Sequence, residues 1–541
     1  MRHSSGRAGG WLVGLAIAAP TVFVAALLLW PLAAVTNRAL RPGGELDLSP
    51  VGDTLGDPSV HSVLWFTVWQ AGLSTLLTVV AALPAAWLFA RVPFVGRSVA
   101  WAALVVPFVL PTVVVATAIS GLPGGLSGRP LAAILVAHVF FNFAVVVRVV
   151  GTAWAGLGQG PAEAAAVLGA GPTAVFRRVT LPLLAPSVLA ASAVVYLFCF
   201  TSFGVVLLLG GGRLRTVEVE IYQRLRLLDL GGAATLALVQ LVLVGVLLVV
   251  AARWSQRWSV DSPIGGRGEG RLSGRTRWLA VVAGMFTGVL LVVPMGTLVW
   301  RSVRTTDGVG LQYWRALGTQ RGVLAASPLQ ALGNSLVVAS VATLVALALG
   351  VAAVAGLVAL ERRRGGSGLA AFDAILMLPL GASAVTVGLG LFLAFDRPPL
   401  DLRTSVVLVP LAQALVALPF VVRVMLPAAR SVAGRLREAA MVCGASPLQV
   451  VWHIDRPLLQ RPLAVAAGFA FAVAMGEFGA TLVVARPDVP TLPIVLARLL
   501  GQPGAVNRGQ AMAVATLLMV VTAVVVLVAD RVGRSGRVID G

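Results

Sequence analysis

Lysine is absent from this 541-residue chain; its 41 basic residues are all arginine, set against 21 acids, for a net charge of +20. Without lysine there can be no Gly-x-x-x-x-Gly-Lys-Ser/Thr phosphate loop, so a nucleotide-hydrolysing site of that type is excluded. Cysteine occurs twice and histidine four times. Cys199 sits in an apolar run and Cys443 in a polar one, with no metal-ligand spacing and no basis for a disulfide framework. No cluster of Asp, His or Cys suggests catalysis or a metal site, so neither an enzyme nor a bound cofactor is expected. Charge is scarce too, at 11% of residues, while 58% are hydrophobic and mean hydropathy is +0.94. A soluble chain of this length could not bury so much apolar surface, and several membrane spans follow. The positive balance then belongs to cytoplasmic loops rather than to nucleic acid.

A spanning helix needs about 20 apolar residues. Runs of that kind fall at residues 11–34, 63–89, 98–120, 131–150, 183–209 and 233–252, and again at 278–300, 335–360, 369–393, 405–425, 463–485 and 511–529. The first, preceded by Arg2 and Arg7, could be a signal peptide, but its apolar core is longer than usual for one and a retained helix is the better reading. The expectation is an all-α membrane protein of twelve transmembrane helices in two six-helix halves. These would cover residues 1–253 and 278–541, joined by an Arg-, Gly- and Ser-rich cytoplasmic linker over 254–277. With the N-terminus inside, the inner segments hold 25 Arg against 9 acids and the outer ones 16 Arg against 11 acids. Arginine excess marks the cytoplasmic side, so both termini are placed inside.

One stretch occurs twice. Glu163 to Pro182 reads EAAAVLGAGPTAVFRRVTLP, and Glu438 to Pro457 reads EAAMVCGASPLQVVWHIDRP. Glu163/Glu438, Ala164/Ala439, Ala165/Ala440, Gly169/Gly444, Pro172/Pro447 and Pro182/Pro457 align without a gap, each copy between the fourth and fifth spans of its half. The grammar is two short helices and a turn. A carboxylate lies in the first turn, where the helix dipole favours it. Gly169 or Gly444 can end the first helix in a left-handed conformation, and proline suits the start of the next. Leu181-Pro182 is expected to interrupt the helical ladder as the chain returns to the membrane.

The pattern Glu-Ala-Ala, three residues, Gly, nine residues, Ile/Val, one residue, Leu-Pro resembles the hallmark loop of membrane permease subunits of bacterial ABC importers. The second copy departs from it at Arg456, where the family prefers Leu. The resemblance implies that each loop forms a coupling helix docking on an ATP-hydrolysing subunit, with Glu163, Ala164, Ala165, Gly169, Gly171, Leu181, Pro182 and Glu438, Ala439, Ala440, Gly444, Pro457 as the coupling residues. Two loops in one chain are similar to the fused iron(III)/thiamine branch. Ala137 to Asn142, Thr201 to Gly204, Thr216 to Gln223 and Gly476 to Gly479 look most like its thiamine permeases. The implied partners are a homodimeric ATPase carrying ATP and magnesium, an extracytoplasmic solute-binding protein and lipid. The implied location is the bacterial inner membrane. A twelve-span secondary transporter is the rival reading, but it gives no reason for duplicated cytoplasmic loops.

Glu477 is an acid inside an apolar run, and such groups are functional candidates by default. Its repeat partner is Ser202, with Phe203/Phe478 beside the pair. Ser202, Phe203, Glu477 and Phe478 are therefore expected to line a translocation path between the halves, where an acid and aromatic faces would suit a cationic aromatic solute. Pairing of Glu477 with an arginine for packing alone is the competing reading. Arg148 and Arg423 read as topological anchors, and His138 with Asn142 as polar contacts between helices.

Overall fold

The computed structural model describes residues 4–534 other than 42, 125, 159, 258–273, 307, 321–323, 364–366, 397–400, 403–404 and 433. Its first half contains α1 (Val13–Leu40), α2 (Pro58–Arg91), α3 (Arg97–Val109), α4 (Thr112–Ser120), α5 (Pro130–Gly156), α6 (Gly160–Val167), α7 (Pro172–Phe200), α8 (Gly204–Leu209), α9 (Val217–Arg226) and α10 (Leu230–Arg257). The second half contains α11 (Gly274–Val303), α12 (Pro328–Arg363), α13 (Ser367–Gly381), α14 (Ala384–Ala394), α15 (Leu408–Ser431) and α16 (Gly434–Val442). It ends with α17 (Val451–Gly476), α18 (Gly479–Val484), α19 (Leu492–Leu500) and α20 (Ala505–Arg534). A two-residue hairpin, β1 (Arg304–Thr305) with β2 (Gly308–Val309), is the one sheet among the described residues. Most of the expected linker lies outside the described residues, and α10 and α11 run into its two ends.

Among the described residues ten helices are long and apolar enough to cross a membrane, and the total reaches twelve if each of two bent pairs counts as one span. The third and ninth expected spans are those pairs: α3 meets α4 at 97°, and α13 meets α14 at 100°. The first bend has a plain cause. Pro111 lacks an N–H and drives Leu110 out of the helical region, to ψ 139°, as the residue before proline is disfavoured there. At the second, Ser383 is extended at ψ 136° and accepts a bond from the Thr386 N–H, starting α14 afresh. The fifth and eleventh expected spans are also broken, after Phe200 and after Gly476, leaving α8 and α18 as short separate helices.

Helix α2 starts where Asp57 accepts a bond from the Ser59 N–H at 2.8 Å. That bond, with help from the Ser59 hydroxyl, holds the Asp57 carboxyl below its usual range, as expected for a carboxylate capping N–H groups. In each half three long helices pack on one another: α2, α5 and α7, and likewise α12, α15 and α17. The first span of each half crosses over. Helix α1 packs on α12 and α14, while α11 packs on α2 and α4. Two shorter helices reciprocate, α9 against α14 and α19 against α4. The halves are thus sequential along the chain but interleaved in space.

Candidate functional site

The duplicated loops have the same backbone. In the first, the Gly169 N–H bonds to the Ala166 carbonyl at 3.0 Å and the Ala170 N–H reaches back to Ala165 at 3.0 Å. In the second, Gly444 bonds to Met441 at 3.0 Å and Ala445 to Ala440 at 2.9 Å. This is the Schellman stop, which needs a left-handed residue, and Gly169 and Gly444 supply it at φ 83° and 88°. Glu163, Ala164, Gly169 and Gly171 are exposed, as are Glu438, Ala439, Gly444 and Pro457, while Ala165, Ala440 and Leu181 are half-buried. Apolar residues crown each turn: Val167 and Leu168 are 87% and 88% exposed, and Val442 is 87% exposed. Apolar side chains thus stand exposed at the tips of both loops.

The proline after each loop does not break the helix. The chain is helical from Pro172 through Phe200, and one wide turn, Phe176–Thr180, precedes Pro182. Its counterpart Val451–Asp455 precedes Pro457. The Leu181 N–H bonds to Phe176 and that of Arg456 to Val451, five residues back, so the ladder is widened around the proline rather than cut. Each loop is therefore followed by a continuous helical extension of a membrane helix. In the second copy an Arg437–Asp455 ion pair at 2.6 Å also fastens α16 to that turn.

The four path candidates lie at the equivalent breaks between α7 and α8 and between α17 and α18. Phe203 and Phe478 are brought together, stacked with centroids 5.7 Å apart and planes at 23°. Both are buried, and Tyr222 of α9 meets Phe203 edge-on at 5.4 Å. Ser202 and Glu477 are not joined to each other; each turns into its own half. The Ser202 hydroxyl is 2.9 Å from His138 Nε2, whose Nδ1 lies 2.9 Å from Ser74 Oγ. The Glu477 carboxylate accepts from the N–H groups of Ala480 and Thr481, both at 2.8 Å, and from the Thr481 hydroxyl. It caps α18, and Gln413, the repeat counterpart of His138, donates to Thr481 at 3.3 Å.

Asn142 donates to the His138 carbonyl at 3.0 Å, one turn back on α5, and to Cys199 of α7 at 3.5 Å. Arg148 lies over the Trp101 ring at 5.3 Å. Sequence reasoning missed the pieces that hold the aromatic pair in place. Gly204 faces Thr112 and Gly479 faces Ala384, so each break leans on the bent pair of its own half. The signal was the pairing of proline or glycine with a small polar residue in the middle of the third and ninth apolar runs. At the far ends of α8 and α18, α9 is fastened by Val217 N–H to Thr67 Oγ1 at 3.0 Å, and α19 by Leu492 N–H to Ser335 Oγ at 2.7 Å.

Residues 348–535 match the family described as binding-protein-dependent transport system inner membrane component. A thiamine transport system permease protein ThiP of Brucella abortus is 30% identical over 551 aligned positions, covering 97% of this chain and 95% of the relative. ThiP of Escherichia coli K12 is 29% identical over 83% of the chain and 86% of its own length. A probable ABC transporter permease protein, y4fN of Sinorhizobium fredii, is 27% identical over 96% of both.

Proposed function

The chain belongs to the family of binding-protein-dependent transport system inner membrane components, and from that premise we propose that it imports thiamine or a close derivative. It is a multi-pass inner-membrane permease subunit of an ABC-type importer, acting with a partner ATPase. The finer reading adds that the partner is a homodimer, one copy on each of the two loops, with both loops and both chain termini in the cytoplasm. Solute arrives on an extracytoplasmic binding protein. The observation that carries the two-motor reading is the identical Schellman geometry of the two loops, each with a bare apolar tip on a rigid helix. Closure of the motors would draw both loops together, and the stiff extensions α7 and α17 would transmit that motion to Phe203 and Phe478. Thiamine is favoured over ferric iron because the relatives at 29–30% identity reported above are described as thiamine transport system permeases.

Two measurements test this. The ATPase subunit should co-purify with the wild-type chain and be lost when Glu163→Arg and Glu438→Arg are combined. Uptake by proteoliposomes holding the assembled importer should be seen with thiamine and not with ferric iron; iron uptake alone would reverse the assignment.

A further inference from the structure

The break between α7 and α8 is held by a row of side chains on one face of α2. Thr67, Gln70 and Ser74 stand three and four residues apart, so they share that face, and all three are fully buried. Thr67 Oγ1 accepts the Val217 N–H at 3.0 Å, at the start of α9. Gln70 Nε2 donates to the Cys199 carbonyl at 2.9 Å, one of the last carbonyls of α7, which the helix itself leaves open. Ser74 Oγ lies 2.9 Å from His138 Nδ1, and His138 Nε2 lies 2.9 Å from Ser202 Oγ, inside the break. The row closes through Thr216, whose hydroxyl donates to the Ser202 carbonyl at 3.1 Å.

The second half keeps the backbone plan and lacks the row. The Leu492 N–H meets Ser335 Oγ where that of Val217 meets Thr67, which puts Val338 and Ala342 of α12 in the places of Gln70 and Ser74. Both are buried and apolar. Gln413 stands for His138 and Ala417 for Asn142, each 275 residues on. Gln413 Nε2 reaches Thr481 at 3.3 Å, and among the described residues its Oε1 has no hydrogen-bond partner. The buried hydroxyl of Thr491, counterpart of Thr216, has none there either. Glu477 caps α18 from the adjoining stretch of chain, so its bonds travel with the second break rather than tie it to the helices around it.

An imidazole can bridge two helices because its nitrogens sit on different edges of the ring, whereas the amide of Gln413 serves one neighbour. Shifting the first break would strand several buried polar groups at once, each at the cost of a lost hydrogen bond in apolar surroundings. Shifting the second forfeits one long bond from Gln413. We propose that His138, clamped between Ser74 and Ser202, is a positioning residue that fixes the first break and Phe203 with it, so that the aromatic pair parts by displacement of the break that carries Phe478. This rests on the importer reading above and refines it: motion delivered along α7 and α17 reaches both breaks, and the second one yields.

Leu207 and Leu482, repeat counterparts on α8 and α18, are both half-buried and suit a pair of probes. The full chain carrying Cys443→Ser, in lipid nanodiscs, takes a nitroxide at Leu207→Cys or at Leu482→Cys. The line shape reads nanosecond motion, and the correlation time at 207 should be at least about twofold longer than at 482. His138→Ala should remove that difference by freeing the label at 207 while leaving 482 unchanged. Ser202→Ala, which deletes a single hydroxyl, should do the same and serves if the larger change prevents folding. In the assembled importer, ATP with vanadate should shift the line shape at 482 and not at 207, and in Ser202→Ala it should shift both. Equal mobility of the two labels, a label at 207 that ignores both variants, or a nucleotide-driven shift at 207 as large as that at 482 overturns the clamp. A merely stabilising contact would lower the unfolding midpoint without separating the two labels. If no ATPase subunit joins the chain, the importer reading fails, and the line shapes of the chain alone still decide the clamp.

Discussion

Phe203 and Phe478 stack at 5.7 Å although 275 residues of chain separate them. Each sits at the break of a membrane helix, one from each half, so the contact is one of the places where the two halves meet. A stacked pair adds about 0.5–1.5 kcal/mol beyond its buried area, and losing a buried ring costs about 3–5 kcal/mol. Phe478→Ala should therefore lower the unfolding midpoint in detergent. It should also raise passive efflux of a small fluorophore from proteoliposomes several-fold, while Phe478→Leu, which fills most of the gap, should leak less. Efflux unchanged in the Ala variant would mean that the ring pair does not close a path.

The neighbouring glycines should not be equally tolerant. A Cβ on Gly204 would come 2.5 Å from the Thr112 hydroxyl oxygen, a group that can rotate away, whereas one on Gly479 would come 2.8 Å from Ala384 Cβ, which cannot. Gly479→Ala should thus be the more destabilising of the two, by about 1–3 kcal/mol from overpacking. Pairing it with Ala384→Gly should recover much of the loss. Thermal unfolding of the three variants beside the native chain decides the order.

Glu477 was singled out in the sequence as an intramembrane acid, and its carboxylate is engaged by the first N–H groups of α18. Removing such a cap costs about 0.5–2 kcal/mol. Glu477→Ala should lower the unfolding midpoint and the amount of assembled importer, with the KM of the remaining transport unchanged. A KM that rises for a cationic solute and not for a neutral one would put the carboxylate in contact with cargo.

The sequence made the duplication legible because a gapless repeat of Glu-Ala-Ala and Gly survives any uncertainty in where helices end. The left-handed glycines followed from the same residues. The bends after Val109 and after Gly381 were not legible, because hydropathy sums over a window and is blind to direction: an apolar run reads alike whether straight or turned through nearly a right angle. Pro111 was the available clue, but prolines are common in membrane helices, and Pro182 shows one absorbed by a single wide turn. The crossing of α1 onto the second half left no trace, since an apolar helix carries no record of which apolar neighbour it meets.

The two cysteines offer a direct test of the loop surfaces. Cys443 stands exposed at the tip of the second loop beside Val442, while Cys199 is buried between α7 and its neighbours. A thiol must meet its reagent as an accessible thiolate, so burial protects it. The native chain should therefore take up one equivalent of a polar maleimide, all of it at Cys443. If the second loop is a docking surface, the ATPase subunit should cover that thiol, and labelling in the assembled importer should slow at least tenfold. Leu168→Cys, at the corresponding tip of the first loop, should label in the free chain and be protected in the same complex. Protection at one tip only would mean that a single loop is occupied, and full labelling at both would remove the loops from the interface with the motor.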